Sequence, residues 1–276
     1  MLFEEKYQKL QEIIEEDTKN DIVIAFSGGV DSSVLLKTSV AHAKKHGTKV
    51  YAITANTELH PMNDLAVAKK VAKEMGADHK VLQMNELADA DIIENPVDRC
   101  YRCKKFLFTG IQNMAKELGA AIIYDGTNTD DLKVYRPGLK ALEELGVKSP
   151  LRLAEFSKED VRKLAAKEQI SVASRPSAPC LATRFPYGTT LTIEDMERVD
   201  KGENFLKKYD LYNVRIRVQG DTARIEVDTK YFDKIMENRE EIVDYLKGLG
   251  YSYIALDLEG FRSGSMDIHV QKNKGE

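Results

Sequence analysis

The sequence predicts an α/β fold: a parallel sheet in a larger N-terminal domain, followed by a smaller α+β domain. Three observations carry this reading. Ile22 to Phe26 is an apolar, β-branched run that stops at Ser27-Gly28-Gly29 and passes directly into a helical pattern through Val34, Leu35, Leu36 and Ala41. Short buried runs then alternate with helical stretches, as βαβ units do. From Thr192 the character changes to a helix followed by two alternating runs around Ile216 and Ile225, split by the turn Gly220-Asp221. The boundary is expected between Pro186 and Leu191, giving domains 1–188 and 189–276.

Taken in order, Leu2, Phe3, Tyr7, Leu10, Ile13 and Ile14 recur at helical spacing and predict an amphipathic helix over 2–17. The run from Ile22 is the first strand, and the helix after Gly29 is expected to reach about His46. Val50 to Thr54 reads as a second buried strand, 63–75 as a helix closed by Gly76, and Val81-Leu82 as a third short strand. Ligands of parallel sheets sit at the carboxyl ends of the strands, where Ser27 and the residues after Thr54 fall. Arg99 to Lys105 contains Cys100-x-x-Cys103 at the start of a helix, which puts the two thiols one turn apart and favours thiolate.

Ala121 to Asp125 is a fourth strand, ending in the polar string Gly126-Thr127-Asn128-Thr129-Asp130-Asp131. This string either lines a ligand site or is a solvated turn. Arg136-Pro137-Gly138 reads as a compact turn carrying a cation. Ser157-x-x-Asp160 is a capping-box start for a helix through Glu168. Pro176, Pro179, Pro186 and Gly188 then preclude a regular helix, so 174–188 is a long shaped loop holding Cys180. A lone cysteine there can equally be a buried small hydrophobe. A helix is expected over 193–209, another over 231–247 and a strand over 253–257. Arg215, Arg217 and Arg224 alternate along their strands. They form either a charged face paired with Glu226 or a clamp for a phosphate or carboxylate.

The Ser27–Ser33 stretch is the chemical focus. A glycine turn between a strand and a helix N-terminus presents unpaired amides and the positive end of the helix dipole, an anion site. Gly28 and Gly29 allow close backbone approach, and Ser27, Ser32 and Ser33 add hydroxyls. No Gly-Lys-Ser/Thr follows, so this is not a Walker A loop.

Composition narrows the rest. With 276 residues, 42% hydrophobic and 31% charged, the chain reads as soluble and globular. A formal net charge of −4 weighs against a broad nucleic-acid face. No apolar run reaches the about 18 residues of a membrane span, and the first residues lack a signal-peptide pattern, so a cytoplasmic protein is expected. Three cysteines make a poor disulfide framework and favour thiol or metal chemistry.

The string Ser-Gly-Gly-x-Asp-Ser resembles the PP-loop of the ATP pyrophosphatases, whose adenine nucleotide α-hydrolase-like fold matches the predicted sheet. Together with Asp125 to Gly138, Pro179 to Gly188, the arginine-bearing strand pair and Leu258 to Met266, nearly the whole chain resembles the LarE family. The resemblance implies an enzyme that takes ATP and Mg²⁺, adenylylates a carboxylate of a pyridinium-dicarboxylate mononucleotide, and replaces oxygen with sulfur. This is a step in making the nickel-pincer nucleotide of lactate racemase. It implies nucleotide contacts from Ser27, Gly28, Gly29, Asp31, Ser32, Ser33, Thr54, Thr127 and Asp130, with Asp31 on Mg²⁺ and Arg215 and Arg217 on the substrate phosphate. Cys180 matches the sulfur-donating cysteine of single-cysteine members. Here Cys100, Cys103 and Cys180 instead suit a [4Fe–4S] cluster with one open iron, which puts all three in catalysis.

A sacrificed Cys180, a persulfide relay, and zinc with His60 or His79 as fourth ligand are the alternatives to a cluster. Glu203, Glu226 and Asp233 are acidic positions that could assist. Competing functions are a tRNA-thiolating enzyme, an ammonia-using synthetase and a nucleotide-binding regulator. The expected partners are a nucleotide substrate, sulfide or another sulfur source, and further copies of the chain, as a homo-oligomer such as a hexamer. No membrane and no nucleic acid are expected.

Overall fold

The computed structural model describes residues 2–133 and 136–266. These divide into two compact units, the first made of 2–57, 62–90 and 98–177 and the second of 58–61, 91–97 and 178–266.

The first unit opens with α1 (Phe3–Asp17), which buries Leu10 and Ile14. The strands and helices β1 (Ile22–Ala25), α2 (Val30–His46), β2 (Val50–Asn56), α3 (Asp64–Glu74) and β3 (Asp78–Gln83) follow in the alternation the sequence predicts. After them come α4 (Glu86–Asp89), α5 (Arg99–Glu117), β4 (Ile122–Tyr124), α6 (Gly138–Glu144), α7 (Pro150–Leu153) and α8 (Lys158–Lys167). Helices α4, α6 and α7 are too short to show a 3.6-residue period, which is why hydrophobic spacing did not mark them.

The four strands are parallel, in the order β3-β2-β1-β4. Alternate residues of β1 feed opposite faces. Ile22 and Ile24 pack with Leu10, Ile14, Leu35, Val161 and Leu164, whereas Val23 packs with Tyr51, Ile53, Phe108, Ile111 and Leu142. Helices thus cover both faces, so β1 and most of β2 are buried and read as continuous apolar runs. Truncating a core side chain such as Leu35 to alanine is expected to cost about 2–5 kcal/mol. The edge strand β3 carries Asp78, His79 and Lys80 and is only half-buried, which left just Val81-Leu82 legible. Because β2 and β4 flank β1 on opposite sides, the strand order reverses between β1 and β4. The carboxyl ends of β1 and β4 are therefore the switch point at which open α/β sheets bind their ligands.

The second unit holds α9 (Ile193–Lys207), β5 (Val214–Gln219), β6 (Thr222–Val227), α10 (Phe232–Glu237), α11 (Arg239–Gly248) and β7 (Tyr253–Leu256). β5 and β6 form the expected antiparallel hairpin, and β7 adds parallel to β6. The single helix expected over 231–247 is broken at Asn238. Its side-chain amide donates to the Lys234 carbonyl at 2.8 Å and competes with the helix ladder. The loop 178–188, expected in the first domain, groups with the second unit together with 58–61 and 91–97. The reason is a set of bonds: Leu181 N–H donates to the Leu59 carbonyl, Asn95 Nδ2 to the carbonyls of Phe185 and Pro186, and Leu191 N–H to the Ile93 carbonyl. Among the described residues no helix is long and apolar enough to cross a membrane.

Candidate active site

The turn after β1 has a shape only glycine permits. Gly28 sits at φ +66°, and a Cβ there would lie 2.9 Å from both the Cα and N of Ala68 on α3. Gly29 donates its N–H to Ser27 Oγ at 3.3 Å, and Ser32 Oγ donates to the Gly29 carbonyl at 3.2 Å. No side chain caps α2, and its first ladder bond runs from Ser33 N–H to the Gly29 carbonyl at 3.0 Å. The amides of Val30, Asp31 and Ser32 therefore precede the helix's own ladder, at the positive end of its dipole. Ser33 is fully buried and its hydroxyl has no hydrogen-bond partner. Arg175 braces the turn from outside, donating Nη1 to the Gly28 carbonyl at 3.3 Å and Nη2 to Asp64 at 2.6 Å.

The polar segment after β4 meets the start of α2 directly. Asn128, buried, donates Nδ2 to Asp31 Oδ1 at 3.0 Å, and the Lys158 ammonium pairs with Asp31 Oδ2. A Cβ on Gly126 would stand 3.1 Å from Asp31 Cβ, so the chain leaving β4 runs close against the first turn of α2. Of this string Thr127 and Asn128 are buried, whereas no residue of the short 3₁₀ turn Thr129–Lys133 is. Asp125 is buried and accepts from Thr127 N–H, Thr127 Oγ1 and Ser149 Oγ, with Lys104 Nζ 3.8 Å away. Thr127 is thus tied to its own turn. Asp130 takes Lys133 Nζ at 2.6 Å and the Lys158 N–H at 2.8 Å. The Lys133 ammonium and the Lys158 amide hold its carboxyl below the usual carboxylate range. Thr54 donates to the Phe26 carbonyl at 2.6 Å and lies 2.8 Å from His79 Nε2. Burial, aided by Lys69, pushes the His79 imidazole down. Tyr135, part of the motif around Arg136, lies outside the described residues.

Cys100 lies in the first turn of α5 and Cys103 one turn further on; both are half-buried, with Arg99 Nη2 3.8 Å from Cys100 Sγ. Cys180, also half-buried, belongs to the second unit and immediately precedes a short 3₁₀ turn, Leu181–Arg184. That turn is anchored by Arg184, which is fully buried. Its Nη1 donates to the carbonyls of Pro179 at 2.9 Å and Cys180 at 3.1 Å, while Nε and Nη2 grip both oxygens of Glu203 at 2.8 Å. Burial alone would raise the Glu203 carboxyl, but Arg184, Arg215 and the Ile216 N–H hold it low. Among the described residues no group of three or more His, Cys, Asp or Glu side chains is arranged to hold a metal ion.

Arg215 and Arg217 are buried on β5, so the face they define is not a solvated one. Arg217 bonds Glu226 at 3.0 Å and the Thr183 carbonyl at 2.9 Å, and Arg215 Nη1 donates to the Val214 carbonyl at 2.6 Å. Burial and the neighbouring Arg184 push Arg215 down to about 10. Glu226 also pairs with Arg224 and Ser265, and Asp257 pairs with Arg224 and Arg262. Asp233 lies in the first turn of α10.

Lys158 and Arg175 were not singled out by sequence as site residues. The capping box at Ser157 fixes where α8 starts, but nothing in the string points the Lys158 side chain at Asp31. Arg175 was visible only as a cation in a proline-rich loop.

A parallel sheet with a glycine turn, free amides and paired polar residues at its switch point defines a nucleotide-binding α/β enzyme of the ATP-pyrophosphatase type. The PP-loop domain model matches residues 2–134. Along its length the chain is similar to an uncharacterised protein of Synechocystis (35% identical, 98% of this chain and all of that one). It is equally similar to the pyridinium-3,5-bisthiocarboxylic acid mononucleotide synthase of Lactiplantibacillus plantarum (35% identical, 91% of this chain, 90% of the relative). A tRNA-specific 2-thiouridylase of Ehrlichia ruminantium shows 29% identity over 70% of this chain and 63% of its own length. The chain belongs to the LarE family of PP-loop enzymes and is an ATP-dependent sulfur-transferring enzyme.

Proposed function

We propose that this enzyme makes a thiocarboxylate on pyridinium-3,5-dicarboxylate mononucleotide, the precursor of the nickel-pincer nucleotide. The similarity over 91% of the chain to a synthase named for that product carries the reading. The unladdered amides at the start of α2 bind the β- and γ-phosphates of ATP. Asp31 is the residue to hold Mg²⁺, and Ser27, Ser32, Thr127 and Asp130 border the same nucleotide. A substrate carboxylate oxygen bonds to the α-phosphorus. The bond to the bridging oxygen breaks, and its electron pair leaves with pyrophosphate. A sulfide sulfur then adds to the activated carbon, and AMP departs with the C–O electron pair.

Arg215 and Arg217 are assigned to the substrate's phosphate. A guanidinium destabilised by burial and by like charge gains from an incoming anion, which is the condition of Arg215.

For the sulfur source, Cys100, Cys103 and Cys180 would hold a [4Fe–4S] cluster. Thiolate is the ligand such clusters require, and all the thiols of the chain are these three. Bound there, a cluster would supply an open iron to carry sulfide. Arg184 fixes the backbone at Cys180, and the start of α5 sets Cys100 and Cys103 one turn apart.

Two measurements test this. ATP–pyrophosphate exchange should depend on the pyridinium mononucleotide and be indifferent to bulk tRNA; dependence on tRNA would move the enzyme to the thiouridylases. Protein purified without oxygen should carry about four irons and four acid-labile sulfides per chain. Cys100→Ala, Cys103→Ala and Cys180→Ala should each abolish them. An iron-free wild type that converts Cys180 to dehydroalanine in one turnover would instead make that residue the sacrificed donor.

A further inference from the structure

One buried side chain, Asn95, holds the loop that carries Cys180. Both lie in the second unit, in its segments 91–97 and 178–266. Asn95 is fully buried and its backbone is left-handed, at φ +46°, a conformation that asparagine tolerates better than most residues. Its Nδ2 donates to the carbonyls of Phe185 at 3.2 Å and Pro186 at 2.7 Å, and its own carbonyl accepts the Gly188 N–H at 3.0 Å. A single residue thus bonds three positions of a loop whose prolines cannot complete a sheet ladder. Two further bonds flank it: Leu191 N–H to the Ile93 carbonyl at 2.7 Å, and Thr190 Oγ1 to Glu94 at 2.9 Å. The path from this clamp back to Cys180 is short and stiff. Only the 3₁₀ turn Leu181–Arg184 lies between, closed by Thr183 N–H to the Cys180 carbonyl at 3.1 Å and Phe185 N–H to the Ala182 carbonyl at 3.3 Å. In the other direction Asn95 stands five residues ahead of Cys100, with Pro96 fixing φ between them.

We propose that Asn95 is a positioning residue of the sulfur site. Its carboxamide sets how far the Cys180 loop is drawn along the segment that leads into Cys100. It thereby decides whether the third thiol joins the other two on one metal centre. Asn95 acts through the loop backbone and not on a reacting atom. The inference rests on the reading that the three cysteines hold one centre, and it adds a residue with neither thiol nor charge to mark it in the sequence.

The probe is Cd²⁺, added to the cluster-free full chain under reducing, oxygen-free conditions and read by thiolate-to-metal absorbance and by affinity. Wild type should bind a single ion through three thiolates, and Cys180→Ala supplies the two-thiolate signal for reference. Asn95→Gly suits the left-handed backbone and deletes both donors. It should show the two-thiolate signal although Cys180 is present, with Cd²⁺ affinity about 10- to 100-fold below wild type. Asn95→Asp, which keeps the size and sets an oxygen against both carbonyls, should do the same. Binding of α,β-methylene-ATP with Mg²⁺ should stay within about twofold in both variants, because the glycine turn is a separate site. A three-thiolate signal at wild-type affinity in Asn95→Gly overturns the proposal while leaving the three-cysteine centre standing. Loss of the ATP analogue along with Cd²⁺ also overturns it, since that marks Asn95 as a general prop of the fold. A wild type indistinguishable from Cys180→Ala would remove the shared centre itself, and this proposal with it.

Discussion

At the scale of single residues, what the sequence made legible was constraint on the backbone. Gly28 had to be glycine, and it is, at φ +66° and pressed against Ala68. Alanine there adds a positive-φ cost of about 1–2 kcal/mol. It also pushes a methyl into backbone atoms 2.9 Å away, so the turn must shift. Gly28→Ala is expected to lower affinity for an ATP analogue at least about tenfold, while circular dichroism still shows a folded chain. Undiminished binding would mean that the turn does not contact phosphate. The directions of side chains were not legible. Ser33 looks like a loop hydroxyl in the string, yet as the residue closing the first ladder bond of α2 it is buried. Lys158 looks like an ordinary helix-start lysine and reaches a residue 127 positions away. Local sequence carries no record of such a span.

Elements were readable wherever a period had room to repeat. Strands β1 and β2 announced themselves because helices cover both faces, and the capping box of α8 appears as expected, with Ser157 Oγ accepting the Asp160 N–H at 3.2 Å. The hairpin β5–β6 followed from alternation and a Gly-Asp turn, although Arg215 and Arg217 proved buried. What failed were elements governed by one side-chain bond, such as the break at Asn238, or by long-range pairing, such as the grouping of 178–188 with 58–61 and 91–97. Arg175 is the clearest case of a brace between elements, linking the β1–α2 turn to the start of α3. Arg175→Ala removes a charge-assisted bond from the Gly28 peptide and releases Asp64. ATP-analogue affinity should fall by about 3- to 30-fold, and AMP affinity by the same factor, because the whole turn loosens. A loss confined to the analogue would show instead that Arg175 touches the outer phosphates.

For the whole molecule, the charge pairs dictate how stability responds to acid. Glu15, Asp130, Asp160 and Glu203 all have carboxyls held below their ordinary values, Glu15 at about 2 by His42, Lys45 and His46. A depressed folded-state value means that the unfolded chain binds more protons as pH falls below its own carboxylate range, near 4. Stability from these groups is therefore complete above about pH 5 and is lost as pH drops through the folded values. Three of the four lie in the first unit and are open enough to solvent for salt to screen them, the Debye length being about 3 Å at 1 M. Glu203, in the second unit, is sealed against Arg184 with both side chains almost fully buried. Salt cannot reach that pair. Glu203→Gln leaves a buried guanidinium half-paired and should cost about 3–5 kcal/mol at pH 7. Denaturant unfolding in 1 M salt should show this gap between wild type and variant widest at neutral pH and closing as the wild-type carboxyl protonates. A gap that stays constant down to pH 3 would assign the loss to packing and leave the acid response to the exposed carboxylates alone.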